Sequence, residues 1–201
     1  MKNIIFDLGN VVINTDYNKI INNFTNNEEE KEFILNDVIK SPYYELGDTG
    51  FIEIEDQIDI INDYTNNKYP ELVKDFLLNY IKYKTWNGDI LDILKKLKEN
   101  GYKLYVLSNI SDYVYKNFKE ILESLFDGIV VSYEIHKVKP NEAIYKYLLN
   151  KYNLNPEDSL FIDDREVNIK TANILGIKGR QVLPDNIDDI KQVLKEYGVL
   201  L

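Results

Sequence analysis

The sequence lacks cysteine entirely. Disulfide bridges and thiolate metal sites are therefore excluded as sources of stability or chemistry. An absence of cysteine is compatible with a reducing compartment, where disulfides are rare. We therefore expect a cytoplasmic protein.

Long apolar runs and a basic charge surplus are also missing. No stretch reaches the roughly 18 apolar residues of a transmembrane helix, and the strand-like start after Lys2 leads us to expect no signal peptide. Acidic residues outnumber basic ones by 34 to 24, which gives a formal net charge of −10. This field repels nucleic acid and anionic membranes, so we expect neither as a partner. An anionic small substrate would need a local cluster of donors.

Apolar periodicity divides the chain into two patterns. The run Ile4–Val12 begins as a buried strand, which Asp7 and the turn residues Gly9-Asn10 interrupt. Helical periodicity then persists to about residue 85, after which helices and strands alternate. Such alternation predicts a parallel sheet with right-handed crossovers. We predict an α/β fold with a Rossmann-like parallel sheet flanked by helices, built from residues 1–13 and 86–201, and a small helical cap at 14–85 inserted after the first strand.

Polar side chains stand where the predicted strands end, and the carboxyl ends of parallel strands meet at one edge of a sheet. They are Asp7 after the first strand, Ser108-Asn109 after the second and Asp163-Asp164 after a late strand, with Lys139 before Pro140 at a predicted helix start. Each has an ordinary structural alternative: a strand-to-turn pair, a helix N-cap or a solvated surface lysine. Their joint occurrence at successive strand ends favours a site.

Clustered carboxylates repel one another and need a cation, and an all-oxygen ligand set favours Mg²⁺. Together with Lys139, such a cation would neutralise a phosphoryl group. Asp7 would then attack the phosphorus and form an acyl phosphate, while Ser108 and Asn109 donate to the phosphoryl oxygens.

These residues, in this order, resemble the four motifs of the haloacid dehalogenase (HAD) superfamily, and the helical insertion resembles its small cap. The similarity extends over nearly the whole chain. It is greatest to a bacterial branch with the first motif Phe-Asp-Leu-Gly-Asn-Val, which includes a phosphatase of α-D-glucose 1-phosphate. Tyr44-Glu45 followed by Gly47 and Gly50 is similar to the cap of that branch.

The resemblance implies a role for each matching residue. Asp7 would be the nucleophile and, with Asp164 and the backbone carbonyl of Gly9, a ligand of Mg²⁺. Ser108, Asn109 and Lys139 would bind the phosphoryl group. Asp163 would support the ligands without touching the metal. Tyr44 and Glu45 are candidates to face the substrate from the cap.

Gly9 departs from the usual pattern, because most HAD phosphatases carry a second Asp two residues after the nucleophile as general acid and base. General acid–base help is typically worth about 10²–10⁴-fold in rate. Its loss would favour leaving groups that need little protonation, such as the anomeric oxygen of a sugar 1-phosphate. Otherwise another group must supply the proton; Asp16, the single histidine His136 or a water are the candidates.

The main functional hypothesis is a Mg²⁺-dependent phosphatase of a small phosphorylated metabolite, such as the sugar phosphate glucose 1-phosphate, working as a monomer or homodimer. One alternative is a metal-free haloacid dehalogenase, which also lacks the second Asp. Uncompensated acid groups beside Asp7 argue against it, because they would raise the pKa of Asp7. Another alternative is a HAD-like binding protein with little turnover.

Overall fold

Five parallel strands form the central sheet of the structure, a computed structural model that describes residues 1–200. In chain order the strands are β1 (Asn3–Phe6), β2 (Ile13–Asn14), β3 (Thr85–Trp86), β4 (Lys103–Ser108), β5 (Gly128–Val131), β6 (Ser159–Asp163) and β7 (Lys178–Gln181). The order across the main sheet is β5-β4-β1-β6-β7, whereas β2 and β3 form a separate antiparallel pair. The predicted α/β class and parallel sheet are confirmed.

Helices cover the sheet and make up most of the segment between β2 and β3. In chain order they are α1 (Tyr17–Ile21), α2 (Glu28–Phe33), α3 (Ile54–Tyr64), α4 (Pro70–Asn79), α5 (Ile90–Glu99), α6 (Asp112–Leu125), α7 (Ser132–Ile135), α8 (Glu142–Lys151), α9 (Glu166–Ile174) and α10 (Ile187–Glu196). A π-helical stretch, Ile34–Ile39, continues α2, and short 3-10 helices span Tyr44–Thr49, Tyr80–Tyr83 and Pro156–Asp158. None of the helices within residues 1–200 is long and apolar enough to cross a bilayer.

Strand β1 lies at the centre of the sheet, with β4 and β6 paired to its two sides. Its apolar residues are fully buried on both faces, as expected for a parallel strand covered by helices. Ile4 and Phe6 belong to the hydrophobic cluster that extends into the inserted helices, while Ile5 packs in the cluster below α8 and α9. Asp7, the residue after Phe6, therefore lies at the middle of the carboxyl edge of the sheet.

The antiparallel pair of β2 and β3 joins the inserted segment to the sheet domain. Ile13 pairs with Trp86, and Asn14 with Thr85. The side-chain amide of Asn87 donates to Val11 O at 2.9 Å, which ties the two connections together. The cap boundaries predicted at residues 14 and 85 fall within this pair.

Two local features differ from the sequence-based expectation. The sequence pattern puts Phe51 on the apolar face of Ile58 and Ile61 and so predicts a helix that begins at Phe51, but α3 begins only at Ile54. Phe51 is 73% exposed and stacks on His136 at 4.6 Å between ring centroids. The reason is the left-handed Gly50 just before it, which turns the chain out of helical geometry. The short helix α7 was not anticipated, since four residues are too few for a periodic signal.

Candidate active site

Three strand ends bring the predicted polar residues to the middle of the carboxyl edge. Asp7 directly follows β1, and its backbone N–H donates to Ile162 O on β6 at 2.9 Å. Ser108 is the last residue of β4, and Asp163 is the last residue of β6. All three of these polar side chains are buried, so their arrangement is set by the sheet rather than by solvent.

Lys139 holds the two buried carboxylates together. Its Nζ lies 2.9 Å from Asp7 Oδ1 and 2.6 Å from Asp163 Oδ2, and its side chain is 1% exposed. Asn109 fixes the lysine backbone, because its Oδ1 accepts from Lys139 N at 2.7 Å and its Nδ2 donates to Lys139 O at 3.0 Å. Asn109 was predicted to donate to a phosphoryl group; in this structure its amide also positions Lys139.

Burial and charge oppose each other at Asp7. Burial raises the pKa of Asp7 to about 6, although Lys139 lowers it, and the charge of Asp163 adds to the rise. Burial alone would lower the pKa of Lys139, but Asp163 and Asp7 outweigh it and the pKa is raised. The lysine is therefore a permanent cation, whereas Asp7 needs further positive charge to be fully ionised near neutral pH.

The free carboxylate oxygens fit a divalent metal ion. Oxygens of Asp7, Asp163 and Asp164 lie within 4.8 Å of one another. Those of Asp163 are already satisfied by Lys139, by the backbone N–H of Arg165 at 2.8 Å and by Asn168. In contrast, the buried Asp7 Oδ1 is paired with the Lys139 ammonium and accepts no hydrogen bond of good geometry.

Asp164 is the second carboxylate with capacity for a metal. It is less buried than Asp163, and its Oδ2 accepts one hydrogen bond, from Asn10 Nδ2 at 2.9 Å. Burial raises the pKa of Asp164, which a bound cation would offset. Within residues 1–200, the carbonyl oxygen of Gly9 accepts no hydrogen bond, so it is available as a third oxygen ligand. An oxygen set of this kind suits Mg²⁺.

A cavity of about 330 Å³ lies over these carboxylates, between the carboxyl edge and the inserted segment. Its sheet-side wall contains the predicted phosphoryl-binding and metal-binding groups, including Gly9. The wall from the inserted segment and its connections is formed by Thr15, Tyr17, Ile39, Tyr44, Glu45, Asp48, Tyr80 and Lys84. The cavity therefore has one anion-binding pole and one wall rich in hydroxyl groups.

Tyr44 and Glu45, which the sequence indicated as substrate-facing, both line this cavity. The Tyr44 hydroxyl lies 2.9 Å from that of Tyr17, and the two rings meet edge to face. Glu45 is exposed at the rim, where its Oε1 accepts from Arg165 Nη1 at 3.2 Å. This contact connects the inserted segment to the loop that follows β6.

The other candidate proton donors lie elsewhere. Asp16 caps α1 and pairs with Lys19 at 2.9 Å, and His136 donates from Nδ1 to Thr49 O and stacks on Phe51. Neither lines the cavity. The exposed Lys137 points its Nζ at Ile135 O, so only Lys139 of the two lysines enters the site.

Several cavity residues carried no signal in the sequence. Asn10 stands in a left-handed conformation (φ 58°) and fixes Asp164, while Lys84 places its Nζ 3.0 Å from Thr15 Oγ1 and over the Tyr80 ring. Asp48 stands between Gly47 and Gly50, and this loop sequence alone does not indicate a functional role for it. Repeated tyrosines at 17, 44 and 80 are separated too widely to indicate a cluster before folding.

Comparison with known proteins gives the family. The sequence profile of haloacid dehalogenase-like hydrolases matches residues 1–176. D-ribitol-5-phosphate phosphatase of Bacteroides thetaiotaomicron is 24% identical over 96% of this chain and 97% of its own. Pyrophosphatase PpaX of Halalkalibacterium halodurans is also 24% identical, over 87% of this chain and 80% of its own.

Solved structures agree with this assignment. A HAD family enzyme of Bacteroides thetaiotaomicron, solved with magnesium and inorganic phosphate, superposes with a TM-score of 0.70 at 27% identity, covering 92% of this chain and 96% of that one. A predicted HAD-like hydrolase of Porphyromonas gingivalis gives 0.74 at 25% identity, covering 97% and 98%. With the profile match spanning most of its length, this chain belongs to the haloacid dehalogenase-like hydrolases.

Proposed function

We propose that the protein is a Mg²⁺-dependent phosphomonoesterase that acts through an aspartyl-phosphate at Asp7. Its substrate is a small sugar or polyol phosphate, of which glucose 1-phosphate is one example. The observation that carries the proposal is the buried Asp7 carboxylate at the centre of the carboxyl edge, with the Lys139 ammonium 2.9 Å from its Oδ1.

The residues divide into a nucleophile and its supports. Asp7 attacks the phosphorus, Lys139 neutralises phosphoryl charge, and Ser108 with Asn109 contributes donors at the end of β4. Asp7, Asp164 and the Gly9 carbonyl would hold Mg²⁺, which would supply positive charge near the phosphoryl oxygens. Asp163 positions Lys139, and its carboxylate oxygens accept hydrogen bonds from Lys139, Asn168 and the Arg165 N–H.

Substrate selection is assigned to the cap, residues 14–85. The hydroxyls of Tyr17 and Tyr44, together with Lys84 and Glu45, offer donors and acceptors to a hydroxylated leaving group, and the tyrosine rings offer flat apolar faces. Two comparisons support a phosphate substrate. One matches a phosphatase named for D-ribitol 5-phosphate, and the other matches a structure solved with magnesium and inorganic phosphate.

The test is phosphate release from a panel of glucose 1-phosphate, glucose 6-phosphate, ribitol 5-phosphate and p-nitrophenyl phosphate, with Mg²⁺ or with EDTA. We expect release that requires Mg²⁺ and is lost in the Asp7→Asn variant. Chloroacetate is included as a dehalogenase substrate. Halide release without metal would support the dehalogenase instead, and no turnover of any compound would support a binding protein.

A further inference from the structure

The proposed reaction needs a group that transfers protons, and position 9 has no side chain to do so. Gly9 has no side chain, and an added Cβ would meet nothing within 4 Å, so the space beside the nucleophile is open. The leaving oxygen and the attacking water therefore lack a proton-transfer group on the sheet side. The opposite wall of the cavity has one carboxyl group that is not at the rim, that of Asp48.

The Asp48 loop is packed tightly against the sheet domain. A Cβ on Gly47 would lie 3.4 Å from Ser111 Cβ, and one on Gly50 would lie 2.2 Å from Tyr133 O. Gly50 also has a φ of +72°. Glycine is therefore required at position 50, and the contact with Tyr133 fixes the position of the neighbouring Asp48 relative to the sheet domain.

Hydrogen bonds connect Asp48 to the turn that carries Ser108. The Ser132 hydroxyl donates to Asp48 O at 2.5 Å and accepts from Ile110 N at 3.0 Å. The backbone of Ser111 lies close enough to the Asp48 carboxyl to lower its pKa. Ile110 and Ser111 directly follow Ser108 and Asn109, the proposed phosphoryl-binding pair. Asp48 is therefore held beside this pair, although it belongs to the cap.

The charged surroundings of Asp48 come from three elements. Burial raises its pKa to about 7, and the charges of Glu45 on its own 3-10 helix and of Asp7 after β1 add to the rise. Lys84, before β3, and the Ser111 N–H act in the opposite direction. The negative charge of Asp48 contributes to the raised pKa values of Tyr17 and Tyr80, which lie in the same wall. A group in this range exchanges its proton readily near neutral pH.

We propose that Asp48 is the general acid and base of this enzyme, supplied by the cap in place of the side chain missing at Gly9. The proposal rests on the proposed phosphatase function. In the first step an Asp7 oxygen bonds to phosphorus, the bond from phosphorus to the leaving oxygen breaks, and that oxygen takes the Asp48 proton. In the second step water attacks the aspartyl-phosphate and passes a proton to Asp48, while the bond to Asp7 breaks and inorganic phosphate leaves.

The test compares Asp48→Asn with wild type on ribitol 5-phosphate and p-nitrophenyl phosphate. We expect kcat/KM on the alkyl phosphate to fall by about 10²-fold or more, because its leaving oxygen needs a proton. For the aryl phosphate, kcat/KM should change only a few-fold, since nitrophenolate leaves unprotonated. Its time course should show a burst of nitrophenol, because the water step has lost its base. The exposed Asp59→Asn variant on α3 is the matched control and should behave as wild type.

A pH series gives a second readout. The ratio of wild-type to Asp48→Asn kcat/KM on the alkyl phosphate should fall as pH rises through about 7, where Asp48 loses its proton. Equal losses on both substrates, or no loss on either, would overturn the assignment, as would a selective alkyl loss in Lys84→Met but not in Asp48→Asn. Circular dichroism verifies that each variant is folded. A wild-type protein without phosphatase activity would instead refute the proposed function itself.

Discussion

At the scale of single residues, Asp7 shows a conflict between reactivity and stability. A carboxylate that is 7% exposed is an unfavourable group to bury. Lys139 compensates part of this, but its other contact, to Asp163, is shorter. The charge of the proposed nucleophile is therefore only partly neutralised until a cation binds.

The first prediction concerns Asp7→Asn, which should abolish phosphate release and also stabilise the metal-free protein. The folded-state pKa of about 6 lies above the usual 3.8, so ionisation of Asp7 favours unfolding. At pH 7 the gain should be about 1–3 kcal/mol in the free energy of unfolding. It should develop as pH rises from about 4 to 6 and vanish below the unfolded-state pKa. Urea unfolding in EDTA measures this, and near wild-type turnover would refute the covalent mechanism.

The second prediction separates the two neighbouring lysines. Lys139→Ala should lose far more activity than Lys137→Ala, because only Lys139 reaches Asp7 and Asp163. Lys139→Ala should also unfold more easily, by about 3–5 kcal/mol, since it leaves buried carboxylates unpaired. Steady-state kinetics and thermal unfolding of both variants provide the measurement. Similar activity losses would show that neither lysine binds the phosphoryl group.

The third prediction separates the adjacent carboxylates, 163 and 164. Asp164→Ala should weaken Mg²⁺ binding with little change in metal-free stability, because Asp164 accepts one side-chain hydrogen bond at a partly buried position. Asp163→Ala should mainly destabilise the fold, because it strips partners from Lys139 and Asn168. The readouts are Tm in EDTA and the rise of Tm with Mg²⁺ concentration. A normal Mg²⁺ effect in Asp164→Ala would contradict its role as a ligand.

At the scale of elements, the 3-10 helix Tyr44–Thr49 determines how the cap meets the sheet domain. It packs on α7, and Ser132 and His136 hydrogen bond to the carbonyls of its last two residues. A helix of this type makes poor internal hydrogen bonds, so these external contacts are what hold it.

The fourth prediction compares Gly50→Ala with Gly101→Ala, two glycines in left-handed conformation. Gly101→Ala should destabilise by about 1–2 kcal/mol from the conformation alone. Gly50→Ala should lose about 1–3 kcal/mol more, because its Cβ would lie 2.2 Å from Tyr133 O, whereas Gly101 has open space. Activity should fall with Gly50→Ala only, as the Asp48 loop is displaced. Chemical unfolding and kinetics on both variants test this, and equal effects would show that the loop is not fixed by this contact.

At the scale of the whole molecule, the proposed phosphoryl-binding groups and the proposed substrate-selecting groups are on different parts of the chain. The strand ends supply Asp7, Ser108 and Asp164, while Tyr44 and Glu45 come from the inserted segment. We therefore expect phosphoryl binding and substrate preference to respond to different substitutions.

The fifth prediction follows from this separation. Substitutions Tyr44→Phe and Glu45→Gln should reorder the sugar and polyol phosphates by kcat/KM, with shifts of several-fold to about 10²-fold. Activity on p-nitrophenyl phosphate should change little, because its leaving group makes few of those contacts. The same substrate panel gives the measurement. An unchanged ranking in both variants would count against a substrate-facing role of the cap.

The sequence by itself determined the fold class and the polar positions that meet at one edge of the sheet. Apolar runs ending in Asp7, Ser108 and Asp163-Asp164 predict parallel strands and a shared edge, because strand ends of one sheet must lie together. The structure brings these residues into one site, with Lys139 among them. Local patterns suffice here because each signal lies within a few residues of the strand that positions it.

Only the tertiary structure decided which further residues of the inserted segment line the cavity beside Tyr44 and Glu45. Asp48, Lys84 and the three tyrosines come from separate segments, and their meeting depends on how the inserted helices dock. Asp16 and His136, two candidates for the proton donor missing at Gly9, pack elsewhere. Proximity between distant segments is fixed by packing of the whole core, which no local periodicity records.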